Sequence, residues 1–535
     1  MPDPMSAAVV RDISATLLPG FTGTRLPEAL RARLAEGLGG VCVFGPNIVS
    51  ASQLRELDDE ILAANPLAVV AIDEEGGDVT RLHYAEGSPF PGNAVLGRLD
   101  DESLTERVGR DVGSALRRSG CTLDFAPDVD VNSNPDNPVI GVRSFGEDAT
   151  LVARHGAAWT RGIQAAGIGA CAKHFPGHGD TALDSHLALP VIDRSLDELR
   201  ARELVPFRAA IEAGALSIMT SHIVLPQVDA GAPATFSSRI LQGILREELG
   251  FDGVIVSDAL DMKGASGEIG IPEAAVRALG AGCDLLCIGT DTTDELLDEI
   301  VEAVYEAVAS GRLSAERVTD AARRVRGLAA RLAKLRADIP EPSVEGEEAP
   351  APSVDRVLGS FEVREGALRS VLDADGASGR PPFAVVRIET EANIAVGVAP
   401  WGPFAQTIAE PVAADSLAWA AHPVFVVSEL DVREDVAPGH ASDGLERRIA
   451  DILAAVTEGQ GVVVVGKAMH RHPFARSTVD ALRAARPTLA VDMGWPSDGR
   501  EYADVATFGA SRLIGRALIA LLEPSVGTRR PSPQD

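Results

Sequence analysis

Aromatic residues are scarce in this 535-residue chain, where Phe, Tyr and Trp together account for 4%. Enzymes that grip long polysaccharides stack sugar rings on exposed Trp and Tyr, and only four Trp (Trp159, Trp401, Trp419 and Trp495) and three Tyr are present. Positive charge is also short. Against 78 Asp and Glu stand 49 Lys and Arg, a formal net charge of −29. Such a balance excludes a broad polyanion-binding surface, so neither nucleic acid nor an anionic membrane is expected as the main partner. The five cysteines (Cys42, Cys121, Cys171, Cys283, Cys287) form an odd, sparse set lying mostly inside apolar runs. They read as small buried hydrophobes in a reducing compartment, not as a disulfide framework. Cys283 and Cys287 lie close in sequence, but no second pair accompanies them, which argues against a zinc site. No apolar run is long enough to span a bilayer. The opening MPDPMSAAVVRDIS has no Lys or Arg before Arg11 and no sustained apolar core, so no signal peptide is predicted and a cytoplasmic protein is expected.

What is present points to packed globular structure. The hydrophobic fraction is 45%, and the length exceeds what one ordinary core serves, so two domains or a barrel with an appendage are expected. The clearest break is DIPEPSVEGEEAPAPS, whose four prolines and acidic cluster read as an extended linker. The predicted organisation is a domain over 1–337, a linker over 338–353, a second domain over 354–523 and a disordered tail over 524–535.

In the first region, short β-branched runs alternate with helical patterns. Strands are predicted at Ala15–Leu18, Val41–Phe44, Val69–Ile72, Thr122–Ala126, Ala170–His174, Leu216–Thr220, Val254–Ser257 and Asp284–Ile288. Segments such as LRELDDEILAAN, DELRARELVPFRAAIEAG and RILQGILREELG carry helical spacing. Eight such repeats predict an α/β fold with a closed (β/α)8 TIM barrel, with an open doubly wound sheet as the alternative. The second region repeats the alternation on a smaller scale. FAVVRI, VFVVSEL, GVVVVGK and TLAVDMG are predicted parallel strands of an α/β sandwich. Asp492 and His470 lie near its strand ends and read as solvated loop residues.

Barrel enzymes carry their reactive groups just after the strands, on the C-terminal face. Those positions hold Asp73, Glu74 and Glu75 after the third strand, and Asp128 and Asp130 after the fourth, with Arg143 further along. Lys173 and His174 end the fifth strand, and the following loop carries His178, Asp180, Asp184 and His186. His222 follows the sixth strand and Asp258 the seventh. Any one of these could be a loop polar group or a helix cap; the set, on one predicted face, reads as a catalytic site. In Asp184-Ser185-His186 the two titratable side chains point the same way if the loop is extended. A carboxylate bonded to one imidazole nitrogen fixes the tautomer and raises the basicity of the other.

The stretch Lys173-His174-Phe175-Pro176-Gly177-His178-Gly179, followed by Asp184-Ser185-His186, resembles the signature of glycoside hydrolase family 3 β-N-acetylglucosaminidases. IDEEGGDVTRL (Ile72–Leu82) is similar to that family's D-x-E-G-G-x-V-x-R loop, NPVIGVRSFGED to its Arg-bearing loop, and GVIVSDALDM to its nucleophile strand. The resemblance implies that Asp258 is the nucleophile and His186 the general acid and then base, with Asp184 completing its dyad. It implies that Asp73, Arg81, Arg143, Lys173 and His174 hold the sugar hydroxyls and acetamido group. Neither a cofactor nor a metal is implied, and the expected partner is a small carbohydrate containing N-acetylglucosamine; no oligomeric state is assigned. A retaining glycosidase needs a nucleophile on one face of the sugar and a proton donor on the other. Replacing the usual carboxylic acid by a His–Asp pair is a hallmark of this subgroup. Asp78 departs from the pattern, standing where relatives often carry Arg, and Asp261 is a second candidate nucleophile.

Rival readings share these residues. A metal-dependent barrel hydrolase could use His174, His178, Asp184 and His186 as ligands, but the place after the first strand reads PGFTGTRL and lacks a His-x-His. A sugar-binding protein without catalysis would not need Asp258, Asp184 and His186 together. Substrate-assisted hydrolysis needs an Asp-Glu or Asp-x-Glu after the fourth strand, where LDFAPDVDVN has no Glu. A closer alternative is a phosphorylase, because a neutral His base does not repel an incoming phosphate. With no Trp in a predicted strand-to-helix loop of the barrel, exo-action on short substrates is expected.

Overall fold

A computed structural model describes residues 6–181, 189–340, 352–372, 383–409, 422–428 and 441–523. The chain forms two compact units, one of Met1–Tyr84 with Asp100–Ala351, the other of Ala85–Leu99 with Pro352–Asp535.

The first unit is built on eight parallel strands: β1 (Leu17–Pro19), β2 (Gly40–Val43), β3 (Val69–Ile72), β4 (Leu123–Asp124), β5 (Gly169–Phe175), β6 (Ser217–Thr220), β7 (Val254–Ser257) and β8 (Leu285–Gly289). Their order is β1-β8-β7-β6-β5-β4-β3-β2, so strands adjacent in sequence are adjacent in space. All eight predicted strands are therefore present, in a TIM-type barrel. At the seam, Gly39 N–H donates to Ser14 O at 3.0 Å. A side chain there would lie 2.3 Å from the Ala15 carbonyl, so glycine is required where β1 and β2 meet.

Every strand residue is buried, as expected of parallel strands covered on both faces. Alternate residues, among them Val69 and Ala71, Val254 and Val256, and Leu285 and Cys287, meet in one interior cluster. The helix Ala315–Asp338 adds Val325, Leu328, Ala329 and Leu332 to that cluster. Side chains of Ser50, Asp101, Asp148, Thr293 and Ser314 cap the helices that follow them, each accepting a backbone N–H. The segment read as one helical pattern from Asp197 instead forms two helices, Leu196–Ala201 and Leu204–Glu212. A continuous helix would set the Pro206 ring against the Arg202 carbonyl, so the chain breaks before it.

The second unit has a six-stranded sheet with Val424–Ser428 at one edge and Glu362–Val363 at the other. The predicted strands appear as β10 (Phe383–Glu389), β11 (Val424–Ser428), β12 (Gly461–Gly466) and β13 (Thr488–Asp492), all parallel. Two short strands join them, β14 (Val505–Ala506) in parallel and β9 (Glu362–Val363) antiparallel. Val95, from the segment Ala85–Leu99, packs in the core of this unit with Phe383, Val463 and Leu489. Arg98 fastens the same segment, donating to Ser360 O at 2.7 Å and pairing with Glu362 at 2.9 Å. Asp492 is not the solvated loop residue expected. It is buried and accepts N–H groups from Ala468, Met469 and Gly494, which fixes a turn at Ala468, whose φ is +47°.

Among the described residues, no helix is long and apolar enough to cross a membrane. All five cysteines are buried and unpaired by disulfides.

Candidate active site

Because the eight strands run parallel, the residues that follow them gather at one end of the barrel. Asp73, Glu74 and Glu75 leave β3, Asp128 and Asp130 follow β4, and Lys173 and His174 lie near the C-terminal end of β5. Asp258 comes directly after β7. The centre of this rim is a buried network of opposite charges. Lys173 Nζ lies 2.7 Å from both Asp73 Oδ1 and Glu75 Oε1. The Arg143 guanidinium grips Glu75 with two bonds, Nε to Oε2 at 2.9 Å and Nη2 to Oε1 at 2.8 Å. Glu75 thus bridges the two cations. Burial alone would raise the Glu75 pKa, but Arg143 and Lys173 outweigh it and hold the carboxyl well below its ordinary value. Burial likewise works against charge on Lys173, and Asp73 and Glu75 overcome it, raising its pKa.

Glu74, between those two acids, turns the other way. Its Oε2 accepts from Thr80 Oγ1 at 2.8 Å and from the backbone of Arg81 and Leu82, both at 2.9 Å. It therefore shapes the loop that carries Arg81, whose side chain is half-buried. Burial raises its pKa, against the pull of the neighbouring His83 and of these bonds.

A second layer organises the histidines. His174 Nδ1 lies 2.7 Å from Asp130 Oδ2, and Arg143 Nη2 approaches its Nε2 at 3.3 Å. Donation by Arg143 to Nε2 assigns the proton to Nδ1, the tautomer this network favours. Asp130 Oδ1 also accepts the His178 backbone N–H at 2.7 Å. Burial pushes the His178 imidazole down to about 4, so it is neutral near pH 7, with Nδ1 at 2.9 Å from Thr181 Oγ1. Burial, with Asp130 beside it, holds Asp128 well above the ordinary carboxyl range. Asp128, Asp130 and His174 bring ligand-type atoms within 4.8 Å of one another. The positive group beside them is Arg143, 3.5 Å from Asp128 Oδ2.

Asp258 is half-buried, with Oδ1 accepting the Ala259 N–H at 2.8 Å. Asp261, the other candidate nucleophile, accepts the Thr290 N–H at 3.1 Å through Oδ2. A side chain at Gly289 would lie 2.0 Å from that oxygen, so Asp261 caps the end of β8. Asp184 and His186 lie outside the described residues. The chain on either side of them is firmly held. Asn137 Nδ2 donates to His178 O and Gly179 O, and Ile192 N–H donates to Val224 O at 2.9 Å. The structure thus joins Asp73, Lys173, Arg143 and His174 in one network and adds Glu75, Asp130 and His178, which the sequence placed on the same face but not among the sugar-binding residues. The signal for Glu75 was the glutamate of the D-x-E-G-G motif itself.

Residues 23–328 match the glycosyl hydrolase family 3 N-terminal domain. A beta-hexosaminidase of Stenotrophomonas maltophilia is 41% identical over 54% of this chain and 86% of its own. Beta-hexosaminidase A of Pseudoalteromonas piscicida is 34% identical over 60% of this chain; the match spans 57% of that relative's length. Among solved structures, a glycoside hydrolase family 3 beta-N-acetylglucosaminidase from Paenibacillus sp. superposes with a TM-score of 0.78 at 30% identity, covering 96% of both chains. The match over more than half of its length, on a barrel whose strand ends carry this network, establishes that the chain belongs to glycoside hydrolase family 3.

Proposed function

We propose that this chain is a retaining exo-β-N-acetylglucosaminidase of the cytoplasm that removes one terminal β-linked sugar from short glycosides. The observation that carries the reading is the rim itself. A half-buried carboxylate at the end of β7 shares it with a pre-built Lys173–Glu75–Arg143–His174 array suited to sugar hydroxyls and an acetamido group. The beta-N-acetylglucosaminidase that matches the chain over nearly its full length supports the substrate class.

In this mechanism Asp258 attacks the anomeric carbon while His186 protonates the departing oxygen, its imidazole oriented by Asp184. The covalent glycosyl-enzyme is then opened by water, whose proton His186 takes. Two other histidines on the rim are unsuited to the acid role. His178 is buried and neutral, and His174 has both nitrogens engaged, by Asp130 and Arg143. Asp73, Arg81, Arg143, Lys173 and His174 bind the sugar.

Leaving-group dependence tests the assignment. Asp258→Ala should abolish turnover of every substrate. His186→Ala should slow cleavage of alkyl or sugar glycosides by roughly 10²–10⁴-fold yet spare the first step for nitrophenyl glycosides, giving a burst followed by slow turnover. Azide should accelerate the slow phase. Wild-type rates of His186→Ala on unactivated disaccharides would refute the dyad. Product analysis with and without inorganic phosphate decides the acceptor: free N-acetylglucosamine alone under both conditions excludes the phosphorylase alternative.

A further inference from the structure

His222 takes no part in the mechanism above, yet it is fully buried beside the nucleophile's strand end. Its Nε2 lies 3.0 Å from the carbonyl oxygen of Ala259. A carbonyl can only accept, so Nε2 carries the hydrogen, and in the neutral ring Nδ1 is an acceptor. Thr235 Oγ1 stands 2.9 Å from that Nδ1, and its hydroxyl is shared with the Ser221 carbonyl, also at 2.9 Å. Thr235 Oγ1 in turn lies 2.8 Å from Thr220 Oγ1, to which the Asp258 N–H donates at 3.4 Å. These contacts link Asp258 N–H through Thr220, Thr235 and His222 to Ala259 O, with the single Thr235 hydroxyl hydrogen divided between His222 Nδ1 and the Ser221 carbonyl. The relay therefore returns to the residue next to where it began. His222, Thr220 and Thr235 are all fully buried, which shields these bonds from water.

We infer that His222 is the positioning residue of Asp258, fixing the nucleophile's carboxylate through the backbone of Ala259; the inference rests on Asp258 being the nucleophile. Residue 259 is held at both of its polar groups. His222 holds its C=O, and its N–H holds Asp258 Oδ1 at 2.8 Å. Leu260 N–H, bonded to Cys287 O at 2.9 Å, ties the next residue to the end of β8. Without His222 the Ala259 carbonyl loses its shorter bond and keeps the Met262 N–H at 3.2 Å, so residue 259 is less firmly fixed, and the carboxylate turns with the N–H it is bonded to. A covalent attack requires near-attack geometry, so a small rotation costs rate without changing how the sugar is bound.

The test uses the full chain and a nitrophenyl N-acetyl-β-glucosaminide, whose leaving group needs little protonation. His222→Phe should lower the rate of the nitrophenol burst roughly ten- to hundredfold while leaving binding of N-acetylglucosamine unchanged. His222→Gln, which keeps an N–H donor within reach of the Ala259 carbonyl, should recover most of the rate. A merely structural role would lower the melting temperature and the active fraction, not the burst rate of the molecules that remain folded. If His222→Phe fails to fold, Thr235→Val breaks the same relay with the imidazole in place and should slow the burst in the same direction. A wild-type burst rate in folded His222→Phe, or in Thr235→Val, overturns the positioning role. Asp258→Ala measured alongside separates the two failures. Loss of turnover there with a wild-type His222→Phe burst overturns the positioning role alone, whereas turnover by Asp258→Ala overturns the nucleophile assignment beneath it.

Discussion

Glu75→Gln isolates the charge that bridges Lys173 and Arg143, and its cost follows from what each cation keeps. Removing one partner of a buried ion pair typically costs about 3–5 kcal/mol, because a charge is left buried without compensation. Here Lys173 retains Asp73 at 2.7 Å, and Arg143 retains the Val139 carbonyl at 3.2 Å and Asp128 at 3.5 Å. The glutamine also offers one carbonyl oxygen in place of two carboxylate oxygens. These remnants place the loss at the lower end, about 3 kcal/mol. With an unfolding entropy of about 2.1 cal/mol/K per residue, a unit of ~300 residues loses roughly 1.5 °C per kcal/mol, a fall of about 4–5 °C in Tm.

The pH dependence supplies a second check. The folded-state pKa of Glu75 is depressed, so its contribution is fully present above the unfolded value of about 4.3 and is lost as pH falls through the folded value. The Tm gap between wild type and Glu75→Gln should therefore be constant from about pH 5 to 8 and narrow only below about 4.3. Differential scanning calorimetry across that range reads both quantities. Equal Tm values at pH 7, or a gap that widens on acidification, would refute the account of Glu75 as the charge-compensating bridge.

Two further substitutions probe charges outside that network. Asp58 is buried with Cys121 Sγ as a neighbour at 3.4 Å, and burial raises its pKa well above the ordinary carboxyl range. Its folded form favours the proton, so wild-type stability declines as pH rises from about 3.9 through the folded value. Asp58→Asn should add roughly 1–2 kcal/mol at pH 7 and little near pH 4 in urea unfolding; a less stable variant at pH 7 contradicts this. Asp180 Oδ2 accepts from Arg194 Nε and Arg202 Nη2, both at 2.8 Å, and so joins the chain on either side of Asp184 and His186. Asp180→Asn should slow hydrolysis of unactivated glycosides about tenfold and leave the nitrophenol burst intact; equal effects on both substrates argue against a role in orienting the acid.

The barrel was legible because fully buried parallel strands are short runs of β-branched residues bounded by polar loops, a pattern that needs no partner to be recognised. Legibility failed where the deciding contact is distant. The strands Glu362–Val363 and Val505–Ala506 are too short to show a period. Nothing local in Ala85–Leu99 marks it as part of the second unit, since that depends on Val95 meeting residues such as Phe383 and Leu489 hundreds of positions away. At the site, Lys173, His174, Asp73 and Arg143 could be singled out by motif and strand-end position. Their partnerships could not. Asp73, Glu74 and Glu75 are equivalent carboxylates in sequence, and only the backbone path after β3 decides which of them faces the cations.

That path gives each of the three a distinct electrostatic task, and together they account for how the rim is organised. Asp73 and Glu75 share Lys173, so its ammonium sits between two carboxylates instead of facing one across a long side chain. Glu74 spends its carboxylate on backbone N–H groups of Thr80's neighbours, holding the Arg81 loop in place. In the function proposed, donors and acceptors already bonded to one another before a sugar arrives need little reorganisation on binding, and the binding energy is not consumed in ordering them. Asp258 is placed differently. It follows β7, is half-buried and accepts the Ala259 N–H through Oδ1. In the function proposed, this division lets the ends of β3 and β5 grip the sugar while the end of β7 reacts with it.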